Sequence, residues 1–254
     1  MNPSAWRPLL FTVDGWLLTG TLAVLLPLLG YVLYRRLHLA PYPTPTRSKM
    51  GIYSLTASTE WILVLITIVV SRRHGLSPAD LGLTIPSTAV TLVTTCAGLL
   101  ALTALTAANT REIARATLDE LEGAVRRARR FVPVGHVETT AFIGVALTAG
   151  FCEELLYRGW LVSFLGAGLG SIWAGVGAGG VVFGLAHGYQ GRKGILATGI
   201  LGIIFGALFA AVRSLVPGML LHAGIDIVNG VLAGRIVRRV EREAGAAPEE
   251  VIGT

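Results

Sequence analysis

Apolar residues run along this chain in long blocks, separated by short polar punctuation. Seven blocks reach or approach the ~20 residues that cross a bilayer as a helix. They lie at roughly 14–34, 52–71, 86–108, 137–164, 171–190, 194–212 and 217–237. The breaks carry turn chemistry: PYPTPTRSK, SRRHGLSPADLGL, GAGLG, GYQGRKG and RSLVPG. Residues 110–130 are different, being charged with a helical period, and Glu122 and Arg126 form an i,i+4 pair. This stretch reads as an interfacial or cytosolic amphipathic helix. The pattern predicts an all-α, polytopic transmembrane bundle of about seven spans. Its parts are N-terminal spans over 1–109, an amphipathic segment over 110–136, a core over 137–237 and a polar tail over 238–254.

Composition agrees with the pattern. Of the 254 residues 53% are hydrophobic and only 14% charged, where a soluble domain carries about a quarter charged. The 32 glycines suit a bundle whose helices approach closely. Small residues recur at four-residue spacing in Gly175/Gly179, Gly180/Gly184/Gly188 and Gly202/Gly206, which reads as helix packing faces. The two cysteines, Cys96 and Cys152, both fall inside apolar blocks, so no disulfide framework is expected. The N-terminus has no clear cleavable leader, and the first block is expected to remain as an anchor.

The net charge of +6 raises the question of nucleic acid, and its distribution answers it. Basic residues gather at the ends of apolar blocks, as the positive-inside rule describes, and no nucleic-acid partner is expected. With seven spans, Arg35, Arg36, Arg47 and Lys49, the arginines of 110–130, Arg192 and Lys193, and Arg235, Arg238, Arg239 and Arg242 share one side. That side is then the cytosol. The expectation is a multi-pass protein of the cell membrane, its N-terminus outside and its C-terminus cytosolic.

Ionisable residues inside apolar blocks are costly and point to function. Glu153, Glu154 and Arg158 lie within AGFCEELLYRGW. On a helix, Glu154 and Arg158 share a face in the favourable order, while Glu153 points about 100° away. This spacing divides the labour: Glu154 and Arg158 as a supporting pair, Glu153 as the carboxylate free for chemistry. His187 follows in FGLAH. Gly170 lies midway between Glu153 and His187, 17 residues from each. If the two blocks form a hairpin, both residues lie at one depth, roughly 25 Å from the turn. His222 and Asp226 share a helix face at i,i+4 in HAGID, with Asn229 three residues on. Simple counting sets His222 near the other end of its span, so convergence requires a tilted, broken or re-entrant stretch around RSLVPG. Cys152 reads as a small buried hydrophobe rather than a nucleophile. His38, His74 and His136 fall in predicted loops and are assigned no role.

EELLYRG, FGLAH and HAGID, in that order and roughly 35 residues apart, resemble the CAAX-processing and bacteriocin-processing (CPBP, or Abi) family of intramembrane proteases. That family includes the eukaryotic type II CAAX prenyl endopeptidase. The resemblance covers about residues 137–235, and SPADLGLTIP looks like the short motif that often precedes the family's core. It implies a membrane-embedded active-site cavity open to the cytosol, and an endopeptidase acting on membrane-associated or lipidated peptides. It also implies roles: Glu153 and His187 activating water, His222 and the residue at 226 stabilising the oxyanion, and Glu154 and Arg158 supporting them. Asp226 stands where the family commonly has Asn. An ionised Asp cannot donate to an oxyanion, so it is protonated, orients His222, or binds metal. Glu153, His187, His222 and Asp226 are also plausible ligands for a divalent metal such as zinc, without the local HExxH spacing of a strong zinc motif. The cofactor question, metal or none, stays open at this level. Two other functions fit the same residues: a non-enzymatic bacteriocin-immunity or scaffold protein, and a proton-coupled transporter. The missing repeat symmetry weakens the transporter reading.

Overall fold

The computed structural model describes residues 3–39, 45–85, 87–115 and 131–243. Among these there is no strand. A short helix α1 (Pro3–Trp6) and a 3-10 turn lead into α2 (Val13–Gly20), a π-helical turn (Thr21–Leu25) and α3 (Leu26–Leu39). Then come α4 (Thr46–Arg73), α5 (Thr88–Arg115) and α6 (His136–Glu153). A π-helix (Glu154–Val162) continues α6 without a break into α7 (Ser163–Gly168). The chain closes with α8 (Ile172–Ala186), α9 (Gly191–Val212) and α10 (Val216–Glu243). The protein is a helical bundle that passes the membrane several times.

Five helical stretches are long and apolar enough to span: Val13–Val32, Thr46–Arg73, His136–Gly168, Gly188–Val212 and Val216–Arg242. Shorter apolar helices stand at the two other expected blocks, Thr88–Ala101 and Ile172–Ala186. Helix α5 stays apolar in sequence through Ala108 before its charged end. Helix α8 has 15 residues, or about 22 Å of rise, against a hydrocarbon core of about 30 Å. Helix α5 runs unbroken through 109 to Arg115, and α10 runs through 238 to Glu243. The rest of the expected amphipathic segment, Glu122 and Arg126 included, lies outside the described residues.

The π-helix forms the centre of the core. All nine of its residues are buried, although the run contains Glu154 and Arg158. A π-helix is rare and marks functional sites more often than not. It is anchored from the N-terminal side: Trp6 and Trp160, both fully buried, meet edge to face at 5.4 Å, and Trp160 Nε1 donates to Thr19 Oγ1 at 3.1 Å. Such an aromatic pair contributes about 0.5–1.5 kcal/mol beyond its buried area. Leucines and isoleucines on the outer faces, such as Leu65, Ile66, Leu100, Ile200 and Ile203, are exposed, as lipid-facing residues are.

Glycines set how closely the helices meet. A Cβ at Gly184 would lie 2.6 Å from Ile195 O, and one at Gly180 would lie 2.4 Å from Ile203 Cγ1, so α8 and α9 touch backbone to backbone. Gly188, expected on the same face, has nothing near it. On the other flank, a Cβ at Gly150 would meet Ala223 N at 2.8 Å, and one at Gly218 would meet Glu154 Oε2 at 3.0 Å. These glycines let α10 lie against α6 and the start of the π-helix.

One end of the bundle gathers the polar ends of several helices. Lys49, expected in a loop, is inside α4 and 2% exposed; its Nζ pairs with Glu138 at 2.8 Å and donates to Val132 O at 3.0 Å. Tyr53 donates to Phe131 O, Phe131 meets the Tyr189 ring, and Arg238 donates to Val134 O. At the opposite end His74 caps α4 and pairs with Asp14 at 2.9 Å. Both cysteines are free, Cys152 buried and Cys96 exposed.

Candidate active site

Glu153 ends α6, and its carboxylate receives histidines from two other helices. His187 Nε2 lies 3.9 Å from Glu153 Oε2, and His222 Nε2 lies 3.8 Å from the same oxygen. Glu153 Oε2 is buried and has no hydrogen-bond partner. A buried acceptor left unpaired is expensive, so a doubly approached, unpaired oxygen marks a place prepared for a ligand.

The end of helix α8 explains His187. The residue is the C-cap of α8, where the last turn leaves carbonyls without intrahelical partners. One of these, Phe183 O, lies 2.8 Å from His187 Nδ1. A carbonyl only accepts, so Nδ1 carries the hydrogen. In the neutral ring Nε2 then holds the lone pair, and it is Nε2 that faces Glu153. The Phe183 ring also stacks against the His187 ring at 4.5 Å.

His222 is fixed through its other nitrogen. Its Nδ1 lies 2.9 Å from Glu154 Oε1, and the same oxygen lies 3.1 Å from Arg158 Nη1. Beside a guanidinium, Glu154 is the acceptor and His222 Nδ1–H the donor. The Arg158–Glu154 contact is an ion pair without hydrogen-bond alignment, since neither terminal nitrogen of Arg158 has a hydrogen-bond partner. The guanidinium instead lies over Phe183 at 4.1 Å and faces Phe205 at 5.5 Å, cation–π contacts that offset part of its desolvation. Both partners are 1% exposed.

Counting along the chain set His222 far from Glu153. The structure removes that difficulty with a three-residue connection. Arg213, in the left-handed region at φ 61°, ends α9, and α10 begins at Val216. The connection is held by the 81–84 turn of the SPADLGLTIP segment. Leu215 N donates to Gly82 O at 2.9 Å, Ser214 donates to Thr84 O, and Thr84 donates to Arg213 O. Helix α10 therefore starts beside Glu154, with Gly218 against it, and His222 follows one turn later.

Asp226 is the outlying member. Its Oδ2 is 3.6 Å from His222 Nε2, too long for a hydrogen bond, and its side chain is 37% exposed. Orientation of His222 falls to Glu154, on the opposite ring nitrogen. Among the described residues, no group of three or more His, Cys, Asp or Glu side chains is arranged to hold a metal ion. The chemistry derived below is that of the side chains.

One residue was missed by sequence reasoning. Glu60, on α4, is 8% exposed, and its Oε2 is buried without a hydrogen-bond partner. It is close enough for the Glu153 and Asp226 charges to act on it. The signal was available: a lone carboxylate in the apolar run ASTEWILVLITIVV falls under the same rule that singled out Glu153.

Comparison with known proteins gives one match. Residues 136–228 match the family model described as type II CAAX prenyl endopeptidase Rce1-like. The matched stretch contains Glu153, Glu154, Arg158, His187, His222 and Asp226. No curated protein and no solved structure matches the chain.

Proposed function

Because residues 136–228 match a family of type II CAAX prenyl endopeptidases, we propose that the protein hydrolyses peptide bonds in membrane-embedded or lipidated peptide segments. The observation that carries this reading is the convergence of His187 Nε2 and His222 Nε2 on one unpaired oxygen of Glu153.

A separation of 3.9 Å suits a bridging water better than a direct bond. In this reading a water donates to Glu153 Oε2 and to His187 Nε2, whose lone pair is exposed by the Phe183 contact. The pair takes one proton as the water oxygen attacks the scissile carbonyl. Negative charge then develops on the carbonyl oxygen. His222 stabilises it by donating from Nε2, which requires the doubly protonated ring, because Nδ1–H is already given to Glu154. Glu154 lies against one ring nitrogen and Glu153 faces the other. Asp226 flanks the oxyanion position and, in its protonated form, donates as well. Collapse breaks the C–N bond, and the proton held by Glu153 and His187 passes to the departing amine. Arg158 is the counter-ion of Glu154, and Glu154 keeps His222 in place.

The natural setting in this reading is the cell membrane, with the C-terminus cytosolic. The basic and polar ends gathered around Lys49, Val132, Val134 and Arg238 support a cytosolic location for that end. The partners are the lipid bilayer and a membrane-associated peptide.

The test is cleavage by the detergent-purified protein of a panel of internally quenched peptides, prenylated and unmodified. Glu153→Ala, His187→Ala and His222→Ala are each expected to abolish cleavage. If all three cleave like the wild type, the protease reading is lost and the non-enzymatic one takes its place.

A further inference from the structure

The mechanism leaves one buried carboxylate unused. Glu60 comes to the site from α4, which packs on α6 on a flank different from that of α10. Trp61, its neighbour in sequence, stacks on Phe151 at 5.3 Å. This contact pins α4 to α6 two residues before Glu153. Glu60 is thereby held in the packed interface between these helices, within reach of the Glu153 and Asp226 charges. The same charge acts on the Cys152 thiol beside Glu153.

Nothing in the described fold repays its burial. Glu60 makes no hydrogen bond or ion pair to any described residue, and its Oε2 is sealed from solvent. A buried polar group without a partner is costly, and such groups are few in folded proteins. A leucine at this position would serve packing better. The carboxylate is therefore retained for something that arrives.

What arrives is constrained by what the site already has. Glu153 and His187 face the attacking water, and His222 faces the developing oxyanion. No group so far holds the N–H of the scissile bond. We propose that Glu60 is a substrate-contacting residue whose free carboxylate oxygen accepts a hydrogen bond from the N–H of the scissile amide. Holding that N–H turns the nitrogen lone pair, as it localises in the tetrahedral intermediate, toward the proton held on Glu153 and His187. No proton is gained or lost at Glu60. This inference rests on the protease reading above.

The experiment compares two probes with one variant. The best-cleaved quenched peptide is paired with its ester counterpart, in which the scissile N–H is replaced by oxygen. Glu60→Leu is expected to lower kcat/KM for the amide about tenfold, the worth of one hydrogen bond. For the ester, which has no N–H to hold, the loss is expected to be less than about threefold. Glu60→Gln, which keeps a carbonyl acceptor, is expected to recover part of the amide activity. The thermal midpoint of Glu60→Leu in detergent is expected to stay level or rise, because an unpaired carboxylate has been replaced by an apolar side chain. Equal losses for amide and ester, or a lowered midpoint with both activities reduced, would show a structural role and overturn the proposal. Wild-type amide cleavage in Glu60→Leu would overturn it alone. A wild-type protein that cleaves none of the peptides would remove the protease reading itself, and this inference with it.

Discussion

Glu154 Oε1 accepts from His222 Nδ1 at 2.9 Å across 68 residues of sequence, while the same oxygen faces Arg158. The adjacent Glu153 has an oxygen with no hydrogen-bond partner. Two neighbouring glutamates thus differ in what depends on them, and their substitutions should differ in kind.

Glu154→Ala leaves the Arg158 guanidinium buried without its counter-ion and frees the His222 ring. A loss of about 3–5 kcal/mol of stability is expected, together with loss of cleavage. Glu153→Ala removes an unpaired acceptor and should change stability by less than about 1 kcal/mol while abolishing cleavage. Thermal unfolding in detergent, measured beside peptide hydrolysis, separates the two. Equal destabilisation by both would contradict the division.

His187→Ala removes the base whose tautomer Phe183 fixes. A fall in kcat of about 10²–10⁴-fold is expected, with KM little changed. Single-substrate kinetics on the quenched peptide give both numbers, and a change confined to KM would move His187 out of proton transfer.

Asp226→Asn tests the departure from the family pattern. Glu154, not Asp226, holds the His222 ring, so the ring should stay where it is. An amide at 226 can donate to the oxyanion in every protonation state. Cleavage in the presence of a chelator is expected to be equal to wild type or higher. Loss of activity together with loss of bound metal on elemental analysis would instead make Asp226 a ligand.

Gly150→Ala tests whether the approach of α10 matters. The new Cβ would meet backbone at Ala223 N and Met219 O, at 2.8 and 2.9 Å, so α10 must shift and carry His222 with it. A loss of about 1–3 kcal/mol is expected, with a clear drop in cleavage. Gly144→Ala, one helix face away with nothing within 4 Å, is the control and should be neutral in both assays.

Much of this arrangement was legible in the chain because helical rise and periodicity are nearly constant. Equal spacing about Gly170 set Glu153 and His187 at one depth, and they lie 3.9 Å apart. The i,i+4 spacing paired Glu154 with Arg158, and they lie at 3.1 Å. The unreadable parts are those where a helix departs from regularity or ends early. Helix α8 stops at Ala186, four residues before the end of the apolar block that predicts it. The position of His222 depends on a connection held by hydrogen bonds from the 81–84 turn, some 130 residues away in sequence. No local pattern encodes that contact. Glu60 is a different case: its signal was present, but it stood alone, without a second ionisable residue beside it.

The π-helix also has a consequence for how this chain tolerates changes in length. Trp160 is held in one direction by Trp6 and Thr19, and Glu153 must face His187 and His222 in another. The angle between those directions is fixed by the number of residues wound between them. Removing one residue from 154–162 would turn one end against the other by a large fraction of a right angle, and adding one would turn it the opposite way. Substitutions in this stretch can be absorbed by neighbouring side chains, but a shift of frame cannot. Insertions and deletions should therefore be excluded from these nine positions even where single replacements are accepted.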